Sequence, residues 1–231
     1  SCKVSVKAGT NLREHLHTLS RSLYDITSLE PLIESGVTLL TPNFRLARRI
    51  RSEWNARRAA AGDNTWESPD VQALESWLQQ CWERAVACGE LEPRLPLGQA
   101  QLSEVWQQVI EAEEQRSGNY QLLRPAAAAE LASQARDNLL RWQVDLSDAG
   151  IRQAFTLDED CATFLAWRDA FEQRLERAGQ CTFVDCVQAL LRCEPAGELP
   201  RVVLLEFDDI PPLYRAALVH LSSTVSEHEP A

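Results

Sequence analysis

The feature that most constrains the fold is a short, uninterrupted apolar run near the end of the chain. Residues 202–205 read Val-Val-Leu-Leu, with no polar residue between them. A strand of this composition needs cover on both faces, which is typical of the parallel sheets in α/β proteins. The run therefore predicts a sheet with helices packed on both of its sides.

Two further strand-and-helix units lie towards the N-terminus. Residues 37–41 (VTLLT) form a predicted strand, and Asn43 can cap a following helix that reaches about residue 61. Residues 3–7 alternate with a period of two, and leucines at helical spacing follow over residues 12–23, which predicts another strand and helix. Strands that alternate with helices favour an α/β fold with a parallel sheet.

The middle of the chain has an almost purely helical pattern. We expect this all-helical insert to interrupt one α/β domain, so that the protein is helix-rich overall. The predicted helices cover residues 71–88, 102–110, 126–142, 161–178, 182–192 and 211–221. The predicted divisions are 1–88 and 180–222 for the two parts of the α/β domain, 89–179 for the insert and 223–231 for a polar tail.

The charge balance makes the position of charge more informative than its total. The 231 residues contain 23 Lys and Arg against 34 Asp and Glu, a net charge of −11. This balance argues against a protein that is cationic over its whole surface, but it allows a local basic site. Six arginines are concentrated on one predicted helix, at positions 45, 48, 49, 51, 57 and 58.

Spacing places three of these arginines together at the start of that helix. Arg45, Arg48 and Arg49 share one face. The residues predicted to point towards the core are Leu46, Ile50 and Trp54. A helix N-terminus after a parallel strand also offers free N–H groups and the positive end of the helix dipole, which suits a phosphate backbone. The alternative is a solvated arginine-rich face with ordinary salt bridges.

Acidic residues follow the apolar run at 202–205. Ligands of α/β proteins bind at the carboxyl ends of parallel strands, where Glu206, Asp208 and Asp209 could hold Mg²⁺ or polarise water. Alternatively, Asp208 or Asp209 caps the next helix, which is predicted to begin at Pro211.

The seven cysteines are odd in number and are expected to be reduced. No signal peptide is visible, so we expect a cytoplasmic protein. Cys181, Cys186 and Cys193 lack zinc-site spacing, and buried free thiols are the favoured interpretation. We predict no metal site. No membrane association is expected, because no stretch approaches the about 18 apolar residues of a spanning helix.

Four segments, in this order, resemble a known family. Residues 38–49 (TLLTPNFRLARR) resemble the strand-to-helix DNA-contact motif of superfamily-one helicases of the UvrD and RecB type, and most closely the AddB-type helicase-nuclease subunits. Residues 68–78 are similar to the next helicase element, a short strand that leads into a helix. Residues 181–191 and 202–212 resemble the Asp-Phe-x-Asp-Leu-Leu helix and the metal-binding strand of the same family.

The resemblance implies a RecA-like (P-loop NTPase-like) domain from a DNA repair exonuclease that processes DNA ends in double-strand-break repair. It implies partners as well: single-stranded or end-bearing DNA and a helicase-nuclease partner subunit. The residues expected to bind single-stranded DNA are Thr41, Asn43, Arg45, Arg48 and Arg49. Such proteins continue into a second motor domain and a nuclease, so the chain is expected to be a fragment of a longer protein.

The chain departs from the family pattern at the nucleotide site. A phosphate loop requires G-x-x-x-x-G-K-[ST], but residues 4–12 contain one glycine, and no Gly-Lys-Ser/Thr occurs anywhere. Leu205 occupies the position of the metal-binding Asp, and an apolar side chain cannot ligate a hard cation. Gly9, Thr10, Glu206 and Asp209 are therefore interpreted as a vestigial nucleotide site.

We accordingly predict a DNA-binding region that does not hydrolyse ATP, has no catalytic residue of its own and needs no cofactor. The alternative is a protein-interaction scaffold without a nucleic-acid role, in which the α/β core supports the helical insert as a docking surface.

Overall fold

The computed structural model describes residues 25–118, 122–195 and 197–228. The strand and helix predicted at residues 3–7 and 12–23 lie outside these residues, as do Gly9 and Thr10 of the vestigial nucleotide site. The strands are β1 (Thr38–Thr41), β2 (Val71–Ala73), β3 (Leu95–Pro96), β4 (Gln180–Cys181), β5 (Arg201–Leu205) and β6 (Thr224–His228).

Helices make up most of the remaining chain. They are α1 (Glu30–Glu34), α2 (Phe44–Ala60), α3 (Leu74–Ala87), α4 (Gln99–Ser117), α5 (Pro125–Arg141), α6 (Ala149–Phe155), α7 (Glu159–Ala178), α8 (Phe183–Leu190) and α9 (Pro212–Leu221). No helix in the described part of the chain is both long and apolar enough to cross a membrane.

The central element is a parallel sheet with the strand order β2-β1-β5-β6. The two apolar runs predicted as strands are neighbours in it, because Leu39 pairs with Val203 and Leu40 with Leu204. All four residues of β1 are buried, as are the last four of β5. The prediction of a helix-rich α/β protein with a buried parallel sheet is thus confirmed.

Helices cover both faces of this sheet, as the continuous apolar strands require. On one face, Leu39, Val203 and Leu205 pack with Ile50 and Trp54 of α2. On the other face, alternate residues of the same strands pack against α3, α8 and α9. The sheet therefore carries two separate apolar clusters, one on each side.

The helical insert has a hydrophobic core of its own. This core is formed by α4, α5 and α7, and at its centre the rings of Trp106 and Phe171 stack with centroids 3.9 Å apart. The parallel pair β3–β4 brings the two connections of the insert together, with Leu95 opposite Gln180. The insert thus leaves and rejoins the α/β layers at one place.

Several elements differ from the sequence predictions. The polar tail predicted from residue 223 is wrong over Thr224–His228, which forms β6 and pairs in parallel with the whole of β5. The helix predicted from residue 71 begins at Leu74, since residues 71–73 are the edge strand β2. The pattern did not predict the short elements α1, β3 and β4, or α6, the seven-residue helix Ala149–Phe155.

Candidate nucleic-acid interface

The basic end of α2 lies directly after the carboxyl end of β1. Thr41, the last residue of β1, is fully buried. Its hydroxyl lies 2.9 Å from the carbonyl oxygen of Asn43 and 3.2 Å from that of Gln72, so it can donate to either. The structure therefore places Thr41 beneath the candidate surface, where it fixes the turn that leads into α2.

Asn43 is the N-cap of α2, as the sequence predicts. Its extended backbone lets Oδ1 accept a hydrogen bond from the Leu46 amide at 3.0 Å. A cap of this kind satisfies one of the N–H groups that the first turn leaves without a helical partner. The cap fixes where the helix starts, and it is itself exposed.

The predicted faces of α2 are confirmed. Arg45, Arg48 and Arg49 are exposed, whereas Ile50 and Trp54 are buried. Within residues 25–118, 122–195 and 197–228, Arg45 and Arg48 take part in no ion pair or hydrogen bond through their side chains. Two guanidinium groups one turn apart are thus available to an external anion.

In the second half of α2, by contrast, two arginines form ion pairs. Arg57 forms ion pairs with Glu30 at 2.6 Å and Asp25 at 2.9 Å, and the hydrogen bond to Glu30 raises the pKa of Arg57. Arg58 pairs with Asp63 at 2.8 Å and lies over the ring of Trp54. The end of the helix therefore has the ordinary salt bridges of the alternative interpretation, whereas Arg45 and Arg48 at its start have none within the described residues.

Phe44 adds an aromatic ring to the same end of α2. It is the first residue of the helix, it is 59% exposed, and the guanidinium of Arg51 lies 6.0 Å from its ring centroid. Sequence reasoning included Phe44 in the DNA-contact motif but assigned it no role. An exposed ring beside cationic groups is the combination on which single-stranded bases stack.

The acids after β5 lie at the same edge of the sheet as the start of α2, because β1 and β5 are parallel neighbours. Glu206 and Asp209 are exposed, and Glu206 adopts the left-handed backbone region with φ 56°, uncommon for a residue other than glycine. In the described chain, no hydrogen bond or ion pair joins Asp209 to Arg45.

The interpretation of Asp208 or Asp209 as a helix cap is wrong. Helix α9 begins at Pro212 with Pro211 as its N-cap, and no side chain caps it. The proline at the first position supplies a helical φ without requiring a capping partner. Among the described residues, no three His, Cys, Asp or Glu side chains are grouped so that they could hold a metal ion.

Leu205 belongs to an apolar cluster of the core. Its side chain is 1% exposed and belongs to the cluster formed by Leu39, Ile50 and Val203. The position at which the family resemblance expects a metal ligand is thus part of the hydrophobic core. An unpaired carboxylate there would be strongly disfavoured.

A buried arginine with several polar partners, which the sequence did not predict, lies between the insert and the α/β layers. Arg136 of α5 is only 1% exposed. Its guanidinium binds both carboxylate oxygens of Glu172, at 2.9 and 3.1 Å, and donates to Asp185 at 2.7 Å and to the Thr182 hydroxyl at 3.1 Å. The buried charge is therefore fully partnered.

The arginine links three helices through these bonds. Glu172 belongs to α7, and Thr182 and Asp185 form the capping box at the start of α8. The signal that could have revealed Arg136 is its position on the apolar stripe of α5 with Ala129 and Ala132. We name Arg136, Glu172, Thr182 and Asp185 the junction network.

In comparisons with known proteins, no protein-family model and no curated protein matches the chain.

Proposed function

We propose that this chain is a RecA-like region of a DNA repair helicase-nuclease subunit that binds and guides single-stranded DNA during end processing and does not hydrolyse ATP. The observation that carries the proposal is the surface formed by Phe44, Arg45 and Arg48 at the start of α2. We name these three residues the α2 patch.

The α2 patch offers a separate interaction to each part of a single strand. Arg45 and Arg48 are exposed and have no partner within the described chain, so binding a phosphate would break no existing ion pair. Phe44 presents a ring on which a base can stack. The adjacent helix N-terminus adds a favourable field for the negatively charged backbone.

The proposal that ATP is not hydrolysed rests on residue identity and packing. The chain contains no Gly-Lys-Ser/Thr sequence to hold the phosphates, and Leu205 is packed in the core. Phosphoryl transfer depends almost entirely on positioned charges of the kind that these two positions lack. We assign this region no catalytic residue and no cofactor. We assign any exonuclease activity to another part of the parent protein.

A cytoplasmic location and a helicase-nuclease partner subunit complete the proposal. The six described cysteines are free thiols, the form that a reducing compartment maintains.

Fluorescence anisotropy with a labelled oligonucleotide tests the DNA-binding role. The double variant Arg45→Glu with Arg48→Glu should weaken single-strand binding at least about tenfold, equivalent to about 1.4 kcal/mol. The matched control is Arg174→Glu with Arg177→Glu, which reverses two exposed arginines at the same spacing on α7. Equal losses in both variants, or no loss in the first, would contradict the proposal.

Isothermal titration calorimetry tests the nucleotide part separately. Titration of the full chain with Mg-ATP should give no heat of specific binding. Tight binding would show that a functional nucleotide site exists despite Leu205, and the ATPase-inactive assignment would then be wrong.

A second candidate function is a protein-interaction scaffold, and exposed apolar side chains of the insert favour it. Leu131 in the middle of α5 is 67% exposed, Trp142 directly after α5 is 53% exposed, and Leu157 is 84% exposed. Large exposed apolar groups of this kind are common in docking surfaces. In that case oligonucleotide binding would be absent at low salt as well as at moderate salt.

A further inference from the structure

Two cysteines stand at the start of α8 in positions that helix capping brings together. Thr182 is the N-cap, so Cys181 is the residue before the cap and Cys186 is the fourth residue of the helix. These are the two positions whose side chains meet in a hydrophobic staple. The Sγ atoms of Cys181 and Cys186 are accordingly 3.6 Å apart.

Backbone contacts hold both thiols in place. The capping box is reciprocal, since the Thr182 hydroxyl accepts from the Asp185 amide at 3.3 Å and Asp185 accepts from the Thr182 amide at 2.8 Å. On the other side, the carbonyl of Cys181 accepts a hydrogen bond from the Leu97 amide at 2.9 Å. The fold therefore holds the two sulfurs close to each other.

A cavity lies beside this pair of buried thiols. Its volume is about 320 Å³, and Cys181 and Cys186 line it together with Arg94, Glu176 and Arg192. The hydrogen bond from Cys186 lowers the pKa of Cys181, and the same contact, with burial, raises the pKa of Cys186. Cys181 is thus the thiol better able to act as a nucleophile.

We propose that Cys181 and Cys186 form a redox-active dithiol that closes to an intramolecular disulfide by exchange with a low-molecular-weight disulfide. The thiols form one of the contacts at the point where the insert rejoins the α/β layers. Oxidation would replace that non-covalent contact with a covalent bond. The proposal is independent of DNA binding.

The exchange balances in two steps. The Cys181 thiolate attacks one sulfur of the small disulfide, forming a mixed disulfide and releasing one thiol. The Cys186 sulfur, as it loses its proton, then attacks Sγ of Cys181, forming the Cys181–Cys186 bond and releasing the second thiol. The protein is oxidised by two electrons, and the small disulfide is reduced to two thiols.

Mass spectrometry of the full chain tests this directly. The native protein is equilibrated with reduced and oxidised glutathione, its free thiols are alkylated, and it is digested with trypsin. Cleavage after Arg177 and Arg192 places both cysteines on the single peptide 178–192. We expect this peptide to escape alkylation and to be lighter than its reduced form by two hydrogens.

The exposed Cys88 provides the internal reference, because it lies on a different peptide, 85–94, and has no thiol partner in the described chain. We expect it to be alkylated or to carry one glutathione. If both thiols of peptide 178–192 remain open to alkylation while Cys88 carries glutathione, the proposal is wrong. A disulfide that joins peptide 178–192 to Cys193 on peptide 193–201 would overturn it as well.

Two comparisons separate a disulfide formed because of the fold from general oxidation. In denaturant, at the same glutathione ratio, the ratio of disulfide peptide to dithiol peptide should fall at least about tenfold, equivalent to about 30 mV for a two-electron couple. Cys186→Ser should trap glutathione on Cys181 at least about fivefold more than Cys181→Ser traps it on Cys186. Equal ratios in the first comparison or equal trapping in the second would contradict the proposed mechanism.

Discussion

The α2 patch and the junction network use the same residue type in opposite ways. Arg136 is buried, and its bonds to Glu172, Asp185 and Thr182 hold three helices together. Arg45 and Arg48 are exposed and have no partner within the described residues. A buried, fully satisfied charge acts on the stability of the fold, whereas an exposed charge without a partner is available for binding.

The same contrast occurs within the arginine-rich helix α2. Composition alone cannot distinguish a DNA-binding face from a solvated salt-bridged face. In the structure the two ends of α2 differ, because Arg57 and Arg58 are paired and Arg45 and Arg48 have no partner within the described residues. The proposed DNA binding is therefore placed at the start of the helix, where the two arginines have no partner within the described residues.

The largest expected effect is on the junction network. Arg136→Ala should lower the free energy of unfolding by about 3–5 kcal/mol, because the carboxylates of Glu172 and Asp185 lose the charge that compensates them. Urea denaturation measures the loss. The control is Arg94→Ala, which removes a surface pair with Glu176 and should cost less than about 1 kcal/mol. Equal costs would show that Arg136 has no special structural role.

In the α2 patch, Phe44→Ala should weaken the binding of single-stranded DNA, but it should not lower the free energy of unfolding as Arg136→Ala does. Loss of one stacked base costs about 1–3 kcal/mol of binding free energy. Anisotropy measures this loss, and Trp142→Ala, which removes an exposed ring from the insert, is the control. If both variants bind DNA as the unaltered protein does, Phe44 is not a stacking residue.

The N-caps of α2 and α8 give the next comparison, because Asn43 is exposed and Thr182 is buried. Asn43→Ala should cost about 1 kcal/mol of stability, as an exposed N-cap usually does. Thr182→Ala should cost about 2 kcal/mol, since its hydroxyl is buried and also accepts from Arg136. Thermal unfolding of both variants checks the order, and a larger loss for Asn43→Ala would contradict it.

The smallest expected effect concerns Asp137, which neighbours Arg136. Burial raises the pKa of Asp137 in the folded state above its usual value of 3.8. The folded state therefore binds the Asp137 proton more tightly than the unfolded state does. This contribution to stability is present below about pH 3.8 and is lost as the pH rises through the folded-state pKa.

Asp137→Asn should therefore stabilise the protein at neutral pH by less than about 1 kcal/mol. The gain should vanish in acid. Urea denaturation over a pH series measures the difference between the two proteins, and a gain that grows as the pH falls would contradict the assignment.

Local sequence pattern predicted the elements whose signal is strong. The runs 202–205 and 37–41 were correctly predicted as strands, and the helix after Asn43 was predicted with its cap and both faces. The strand β6 could not be predicted, because Thr224–His228 is mostly polar and half exposed and owes its conformation to pairing with β5.

The candidate site was predicted only in part, because the partners of its side chains depend on the tertiary fold. The spacing of Arg45 and Arg48 places them on one exposed face, but their lack of partners depends on which acids the fold brings near. Glu30 and Asp63 approach Arg57 and Arg58 instead. The junction network depends on the packing of three separate helices, which spacing along one helix cannot reveal.

The salt dependence of single-strand binding tests the central claim most directly. Each phosphate contact on a single strand contributes about 0.7 to the slope of log affinity against log salt concentration. We expect the affinity of the unaltered protein to fall as salt rises, and the slope of Arg45→Glu with Arg48→Glu to be shallower by about 1.4. Parallel lines for the two proteins would show that the α2 patch does not contact the DNA backbone.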